Sequence, residues 1–174
     1  DGGVTVNSGA LRITNSTALG DGAKTVTLSN GTNGAPQLRL DGSADPIELP
    51  ASIGYVTSND STGAIVNEAG NNVVFGAITL SGGGGSTRIY SNAGNLTLAG
   101  NIAPSTTGRT LKLMGAGTGV VTGDISNGSA TNGSASNGSA SLRAAAMSVA
   151  ASAAGGAALL KRSTRRCVSP TPVR

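Results

Sequence analysis

Short runs in which apolar and polar residues alternate fill the chain from residue 3 to about residue 125. Ala10-Leu11-Arg12-Ile13, Thr25-Val26-Thr27-Leu28, Gln37-Leu38-Arg39-Leu40 and Pro46-Ile47-Glu48-Leu49 come first. Ala77-Ile78-Thr79-Leu80, Asn95-Leu96-Thr97-Leu98 and Thr110-Leu111-Lys112-Leu113 follow. A period of two sends alternate side chains to opposite faces, so each run predicts a β-strand with one buried side. Between the runs stand Ser29-Asn30-Gly31-Thr32-Asn33-Gly34, a stretch over 81–86 with four consecutive glycines, and Ser91-Asn92-Ala93-Gly94. These residue types make turns because they tolerate left-handed backbone conformations.

Strands of this length suit an antiparallel sandwich or a parallel β-helix, and a repeat decides between them. The unit reads Ala69-Gly70, Val74, Gly76, Ile78, then Ala93-Gly94, Leu98, Gly100, Ile102, then Ala116-Gly117, Val121, Gly123, Ile125. A period of about 23 residues is the mark of a solenoid, whose units bury their apolar faces only against the next unit. Parallel coils about 4.8 Å apart place equivalent residues on top of one another. Val74, Leu98 and Val121 then form one interior row, Ile78, Ile102 and Ile125 a second, and the three glycines a column at a corner too tight for a side chain. The first strand of the unit fits less simply: Ile65 and Ile89 align with Lys112, and a one-residue slip brings in Leu111 or Leu113. The coil length is therefore expected to vary by a residue, since a slip in register otherwise reverses the buried face. The N-terminal third keeps the strand pattern but loses the phase. It reads as a divergent or capping coil, or one with longer loops.

Composition changes what kind of core is possible. The chain has two Tyr, one Phe, no Trp and no His, but 28 Gly among its 174 residues. Burial must come from many small aliphatic side chains in rows rather than from a few large ones. Charge is also uneven: all eight acidic residues lie at or before Asp124, and only half of the twelve basic ones do. The body is thus mildly acidic and the positive balance belongs to the tail. That tail opens on Asn127-Gly128-Ser129-Ala130-Thr131, repeated twice more with Ser in the last place, which reads as a flexible linker over 127–141. Residues 142–174 are alanine-rich and basic, ending in Lys161-Arg162-Ser163-Thr164-Arg165-Arg166 and beyond, and are expected to be disordered or a frayed helix. The division is β-solenoid coils over 1–126, linker, and tail. The tail's composition fits either a native segment or a shifted reading frame of GC-rich DNA, which sequencing the gene across codons 126–145 decides.

The opening Gly3-Val4-Thr5-Val6-Asn7-Ser8-Gly9-Ala10-Leu11-Arg12-Ile13, then Ala18-Leu19-Gly20-Asp21-Gly22 and Thr25-Val26-Thr27-Leu28, resembles the autotransporter-associated β-strand repeat. Leu98-Ala99-Gly100-Asn101-Ile102 is similar to the coils between such repeats. Together these segments span roughly residues 3–125, and Ala-Leu-Gly is the most specific part. The resemblance implies an all-β, right-handed parallel β-helix: a stalk in a bacterial cell-surface or secreted passenger protein, often ending in a membrane-embedded barrel. No barrel is encoded here, and the chain opens on Asp1 rather than Met, so it reads as a piece of something longer.

Candidate chemistry is sparse. Without histidine there is no Ser-His-acid relay, no Cys-His pair and none of the common His-bearing zinc sites. Cys167 is alone, so an internal disulfide is excluded. Asp41, Asp45 and Glu48 form the only close acidic group, and the alternation at 41, 43 and 45 is like that of a calcium loop, but Pro46 stands where that loop needs glycine and Ser52 where it needs glutamate, so a solvated turn is expected. Arg39 lies beside Asp41, as in β-helical enzymes that cleave acidic polysaccharides, yet no second acidic cluster is evident one coil away. Gly115-Ala116-Gly117-Thr118-Gly119 lacks the spacing of a phosphate loop, and the glycines at 82–85 lack the aspartate of calcium-binding nonapeptide repeats. The sequons at Asn15, Asn30, Asn59 and Asn95 are chance matches in an Asn/Ser/Thr-rich chain. Residues 144–160 are uncharged but too weakly apolar to span a membrane.

No catalytic, cofactor-binding or metal-binding residue is assigned and no cofactor is expected. The expected role is a non-catalytic structural stalk or spacer, extracellular or on the cell surface. The alternatives are a glycan-binding adhesin module using exposed Thr and Asn along one face, or a polysaccharide-degrading enzyme fragment. Expected partners are an extracellular glycan or a host or neighbouring cell surface, not nucleic acid. A membrane is reached only through a barrel or anchor outside this chain, and the protein is expected to be monomeric.

Overall fold

The computed structural model describes residues 2–29, 35–58, 62–82, 86–106 and 109–126. The linker at 127–141, the tail at 142–174, the glycines at 83–85 and the sequons at Asn30 and Asn59 lie outside the described residues in whole or in part. Within them the chain is all-β, with fourteen strands and no helix, and hence no helix able to cross a membrane. In chain order these are β1 (Val4–Val6), β2 (Ala10–Ile13), β3 (Lys24–Leu28), β4 (Gln37–Asp41), β5 (Glu48–Leu49), β6 (Ile53–Thr57) and β7 (Ile65–Ala69). They continue as β8 (Asn71–Val74), β9 (Ile78–Leu80), β10 (Ser86–Ser91), β11 (Asn95–Leu98), β12 (Ile102–Pro104), β13 (Thr110–Met114) and β14 (Thr118–Val121).

The strands stack into three parallel sheets around one interior, which is a β-solenoid. Sheet 1 is β1-β3-β6-β9-β12, sheet 2 is β2-β4-β7-β10-β13 and sheet 3 is β5-β8-β11-β14. Every strand pairing is parallel. The chain visits sheets 1, 2 and 3 in turn, so four complete turns follow a first turn that lacks its sheet 3 strand. Sheet 1, extended by the bridge from Ile102 to Ile125, covers about 24 Å at ~4.8 Å per step.

The rows expected from the repeat are present. Leu98 pairs with Val74 on one side and Val121 on the other, and Ile102 lies between Ile78 and Ile125. The slip in the first strand resolves in favour of Leu113, which pairs with Ile89 and so makes this coil slightly longer than the repeat in the other two sheets. Val26, Tyr55, Ile78 and Ile102 form one buried row of sheet 1; Leu38, Ile65 and Ile89 form the matching row of sheet 2. The glycine column stands at the corner between sheets 3 and 1, where a Cβ on Gly100 would meet the carbonyl of Gly76 and one on Gly123 the carbonyl of Gly100. One corner departs from the repeat. Gly70 and Gly94 hold positive φ angles of 83° and 70°, but in the third copy that conformation moves from Gly117 to Gly115, with φ 112°.

The N-terminal third is the long-loop version of the same coil. Val26 pairs with Tyr55 and Tyr55 with Ile78, and the first of these two steps along one row spans distinctly more chain than the second. Residues 14–23 fill the place of the missing sheet 3 strand with turns. There the Gly20 N–H donates to the Thr17 carbonyl at 2.8 Å and Leu19 turns into the core with 8% exposure. Ser16 Oγ accepts the Glu48 N–H at 2.9 Å, satisfying a backbone donor that an absent strand would otherwise leave open.

Two buried asparagines tie three coils together between sheets 2 and 3. Asn67 donates to the Ala93 carbonyl at 2.8 Å and to Ser91 Oγ at 3.3 Å. Asn72 donates to Asn67 Oδ1 and to the Ala69 carbonyl, and its own Oδ1 accepts the Ile47 N–H at 2.8 Å. Both side chains are fully buried, so each hydrogen bond substitutes for water that cannot reach it.

Candidate functional site

Charge is concentrated on one side of the solenoid. On the described strands, Arg12, Arg39, Asp41, Glu68, Arg88 and Lys112 belong to sheet 2, against Lys24 on sheet 1 and Glu48 on sheet 3. Strand alternation turns these side chains outward while Leu38, Ile65 and Ile89 turn in. Parallel register then sets Arg12 beside Arg39 on adjacent strands.

Like charges one strand apart repel unless carboxylates intervene, and here they do. Glu68 receives Arg12 Nε on Oε2 and Arg39 Nη1 on Oε1, each at 2.9 Å. Asp41 pairs with the other end of the Arg12 guanidinium. Asp41 also accepts the Ser43 N–H at 3.1 Å. Hydrogen bonds from Ser43, and then the charge of Arg12, hold its carboxyl below the usual aspartate range, while Glu68 and Asp41 raise the Arg12 guanidinium. Arg39 Nε and Nη2 both donate to Gln37 Oε1, at 2.9 and 2.7 Å. Gln37 is itself pinned by donating to the Thr62 and Gly63 carbonyls.

Beside this network lies a groove of about 290 Å³ bordered by Gln37, Arg39, Glu68, Tyr90 and Asn92, with Val66 at its base. Tyr90 is next to Val66 in the ladder, and its ring lies across Gly63. A Cβ on Gly63 would come within 2.5 Å of Tyr90 Cδ2, and φ there is +98°. Only glycine combines that backbone with room for the ring. The groove thus brings together an aromatic ring, a guanidinium held by three hydrogen bonds and a carboxamide.

The acidic trio singled out in the sequence is not brought together. Asp41 ends β4 on sheet 2, Asp45 is exposed in the loop and Glu48 begins β5 on sheet 3. Among the described residues no group of three His, Cys, Asp or Glu side chains is placed to hold a metal ion. Arg39 adjoins Glu68 rather than Asp41. Glu68 supplies an acidic residue one coil on from Asp41, which sequence reasoning missed. The ladder slips between Leu40 and Asp41, pairing Asp41 with Ala69, so a fixed period passes over Glu68. The recurrence of arginine at Arg12 and Arg39, in the same place of two similar strand runs, was the available signal. Gly115, Gly117 and Gly119 lie at and after a corner, in keeping with turn chemistry.

One buried polar group stands apart from any site. Tyr55 is 1% exposed, its hydroxyl has no hydrogen-bond partner among the described residues, and burial pushes its phenol upward in pKa.

No protein-family model matches the chain. Searches of curated proteins and of solved structures likewise found no significant match.

Proposed function

We propose that residues 4–126 act as a structural stalk or spacer, without catalysis, in a bacterial cell-surface or secreted protein of the autotransporter-associated β-strand repeat type. The supporting observation is the unbroken parallel stacking from Val4 to Ile125, with no sheet interrupted after the first turn. Such a stack is stiff along its axis, because bending must break backbone hydrogen bonds in at least one of three sheets at once. Reach then scales with the number of coils. The turn formed by Ala18-Leu19-Gly20 supports the link to that repeat, since its most specific element does the structural work of completing the first coil. The protein acts as a monomer in this reading. A membrane would be met only through a barrel or anchor outside this chain.

Small-angle X-ray scattering on the protein and on a form with the coil 65–88 duplicated tests the mechanical part. The expected result is a rod whose axial length grows by about 4.8 Å per added coil. A compact particle with no axial growth would refute it. Antibody labelling of intact cells of the source bacterium tests location, and signal seen only after lysis would exclude a surface role.

A further inference from the structure

We propose that the groove beside Tyr90 on sheet 2 is a binding subsite for a neutral saccharide, sized for a single pyranose ring of a longer glycan. The inference stands independently of the stalk reading and concerns different residues from an exposed Thr and Asn ladder.

Size and charge narrow the ligand. At about 290 Å³ the groove lies at the small end of small-molecule sites, which run from ~300 to ~1,000 Å³. That is room for one ring, with the remainder of a longer ligand lying outside the groove. The ion-paired groups that border it, Arg12 and Arg39 against Asp41 and Glu68, cancel, and Arg88 stands one outward position before Tyr90 on β10. An anionic ligand would lie against the Glu68 carboxylate that Arg12 and Arg39 share, and a cation against those two guanidinium groups. A neutral polyol disturbs neither.

The surfaces match a sugar's two-sided character. Tyr90 offers a ring with a polar tip, and its seat over Gly63 and Val66 fixes it before any ligand arrives. Little side-chain entropy remains to be lost on binding. Arg39 uses Nε, Nη1 and Nη2 once each on Gln37 and Glu68. A guanidinium has five N–H donors, so two stay available on a group already locked in direction. Among the described residues neither the Tyr90 hydroxyl nor the Asn92 carboxamide has a hydrogen-bond partner, and both can donate and accept. Apolar C–H edges of a pyranose would lie on Tyr90 while its hydroxyls meet Arg39, Asn92 and Glu68.

The test is an array of immobilised neutral and acidic oligosaccharides probed with the full chain, followed by calorimetric titration of the best-bound neutral one. Saturable binding to neutral hexose-containing glycans is expected, changing by less than about twofold when salt is raised, because a neutral ligand presents no charge to be screened. Tyr90→Ala should weaken it about tenfold and Tyr90→Phe about threefold. Thr79→Ala on sheet 1 should leave it unchanged. Should Tyr90→Ala fail to give the wild-type circular dichroism spectrum, Asn92→Ala, at an exposed position, replaces it with an expected loss of about fivefold. Binding to no neutral glycan, binding only to acidic glycans that fades with salt, or full affinity in a folded Tyr90→Ala or Asn92→Ala variant would each overturn the proposal. Scattering that shows a rod while glycan binding fails would remove this site and leave the stalk reading intact.

Discussion

Sheets 1 and 2 contain the same number of stacked strands, yet they offer solvent opposite chemistries. The outward row of sheet 1 reads Thr5, Thr27, Val56, Thr79, Ala103, small and uncharged from end to end. The matching row of sheet 2 reads Arg12, Arg39, Val66, Tyr90, Met114, with carboxylates beside its first members. Inside, the same contrast holds in part: sheet 1 buries Val26, Tyr55 and Ile78 with Thr57, whereas sheet 2 buries Asn67, Thr87 and Ser91 among its aliphatics. A solenoid coil thus needs little from any one side chain provided the interior row and the corner are right. The outer faces are free to diverge, and divergence on sheet 2 is where recognition chemistry can accumulate.

The comparison predicts that sheet 1 fails by crowding and sheet 2 by unsatisfied polarity. Gly100→Ala, at the corner leading into sheet 1, forces a Cβ against the Gly76 carbonyl between two coils that cannot part without losing ladder bonds. A loss of about 4 kcal/mol is expected by urea denaturation; a loss under about 1 kcal/mol would show that the corner can open. Asn67→Ala on sheet 2 should cost about 2 kcal/mol, since it takes from buried Asn72 Nδ2 one of its two acceptors and leaves a hole where a buried carboxamide joined two coils. If Asn67→Ala were near neutral, the buried amides would be dispensable and the two sheets would differ only outside.

The strands of both sheets were largely legible in the sequence, but the outward chemistry of sheet 2 was not, for a physical reason. Gly76, Gly100, Gly123 and the isoleucine after each are fixed by backbone contact, so they recur with the coil and declare its period. The outward residues of sheet 2 answer only to one another. Glu68 bridges Arg12 and Arg39 across intervals set by loops of unequal length and by a slip at Leu40 and Asp41, which periodicity alone does not predict. The groove was likewise hidden, because Gly63 and Tyr90 belong to successive coils and meet only after those coils stack. Even in the regular region the third corner moved its positive φ from Gly117 to Gly115. Strand existence is read from alternation, but corner geometry depends on how many residues each turn must span.

Two smaller substitutions sharpen the contrast. Tyr55→Phe removes a buried hydroxyl that has no partner among the described residues, so sheet 1 should become more stable by about 1 kcal/mol. Destabilisation would mean that the hydroxyl is satisfied in solution. Glu68→Gln on sheet 2 keeps the shape but withdraws the charge shared by two exposed guanidinium groups. It should cost about 0.5 kcal/mol at low salt, and the difference should vanish near 1 M salt. On sheet 1, Val56→Thr should change stability by less than about 0.5 kcal/mol at either salt concentration.

The smallest effect depends on pH and belongs to sheet 2 alone. Asp41 titrates below the ordinary aspartate range when folded, through hydrogen bonds from Ser43 first and the charge of Arg12 next. A carboxyl with a depressed folded pKa binds protons less readily than the unfolded chain does. Its contribution is therefore complete above the unfolded value of about 3.9 and disappears as pH falls through the lower folded value. The melting temperature of the wild type should exceed that of Asp41→Asn by a constant margin from pH 7 to about pH 5. That margin should shrink below about pH 4 and close once the folded carboxyl is protonated. Ser43→Ala and Arg12→Gln should each bring the Asp41 pKa, followed by NMR, closer to its ordinary value, because the Ser43 hydroxyl is the first cause of the depression and the Arg12 charge a further one. A margin that widened on acidification would show that the folded carboxyl is not held below its ordinary range, and a larger response to Arg12→Gln would show that the ion pair rather than the turn holds this carboxylate. The charged face would then depend on Arg12 instead of on the loop that follows β4.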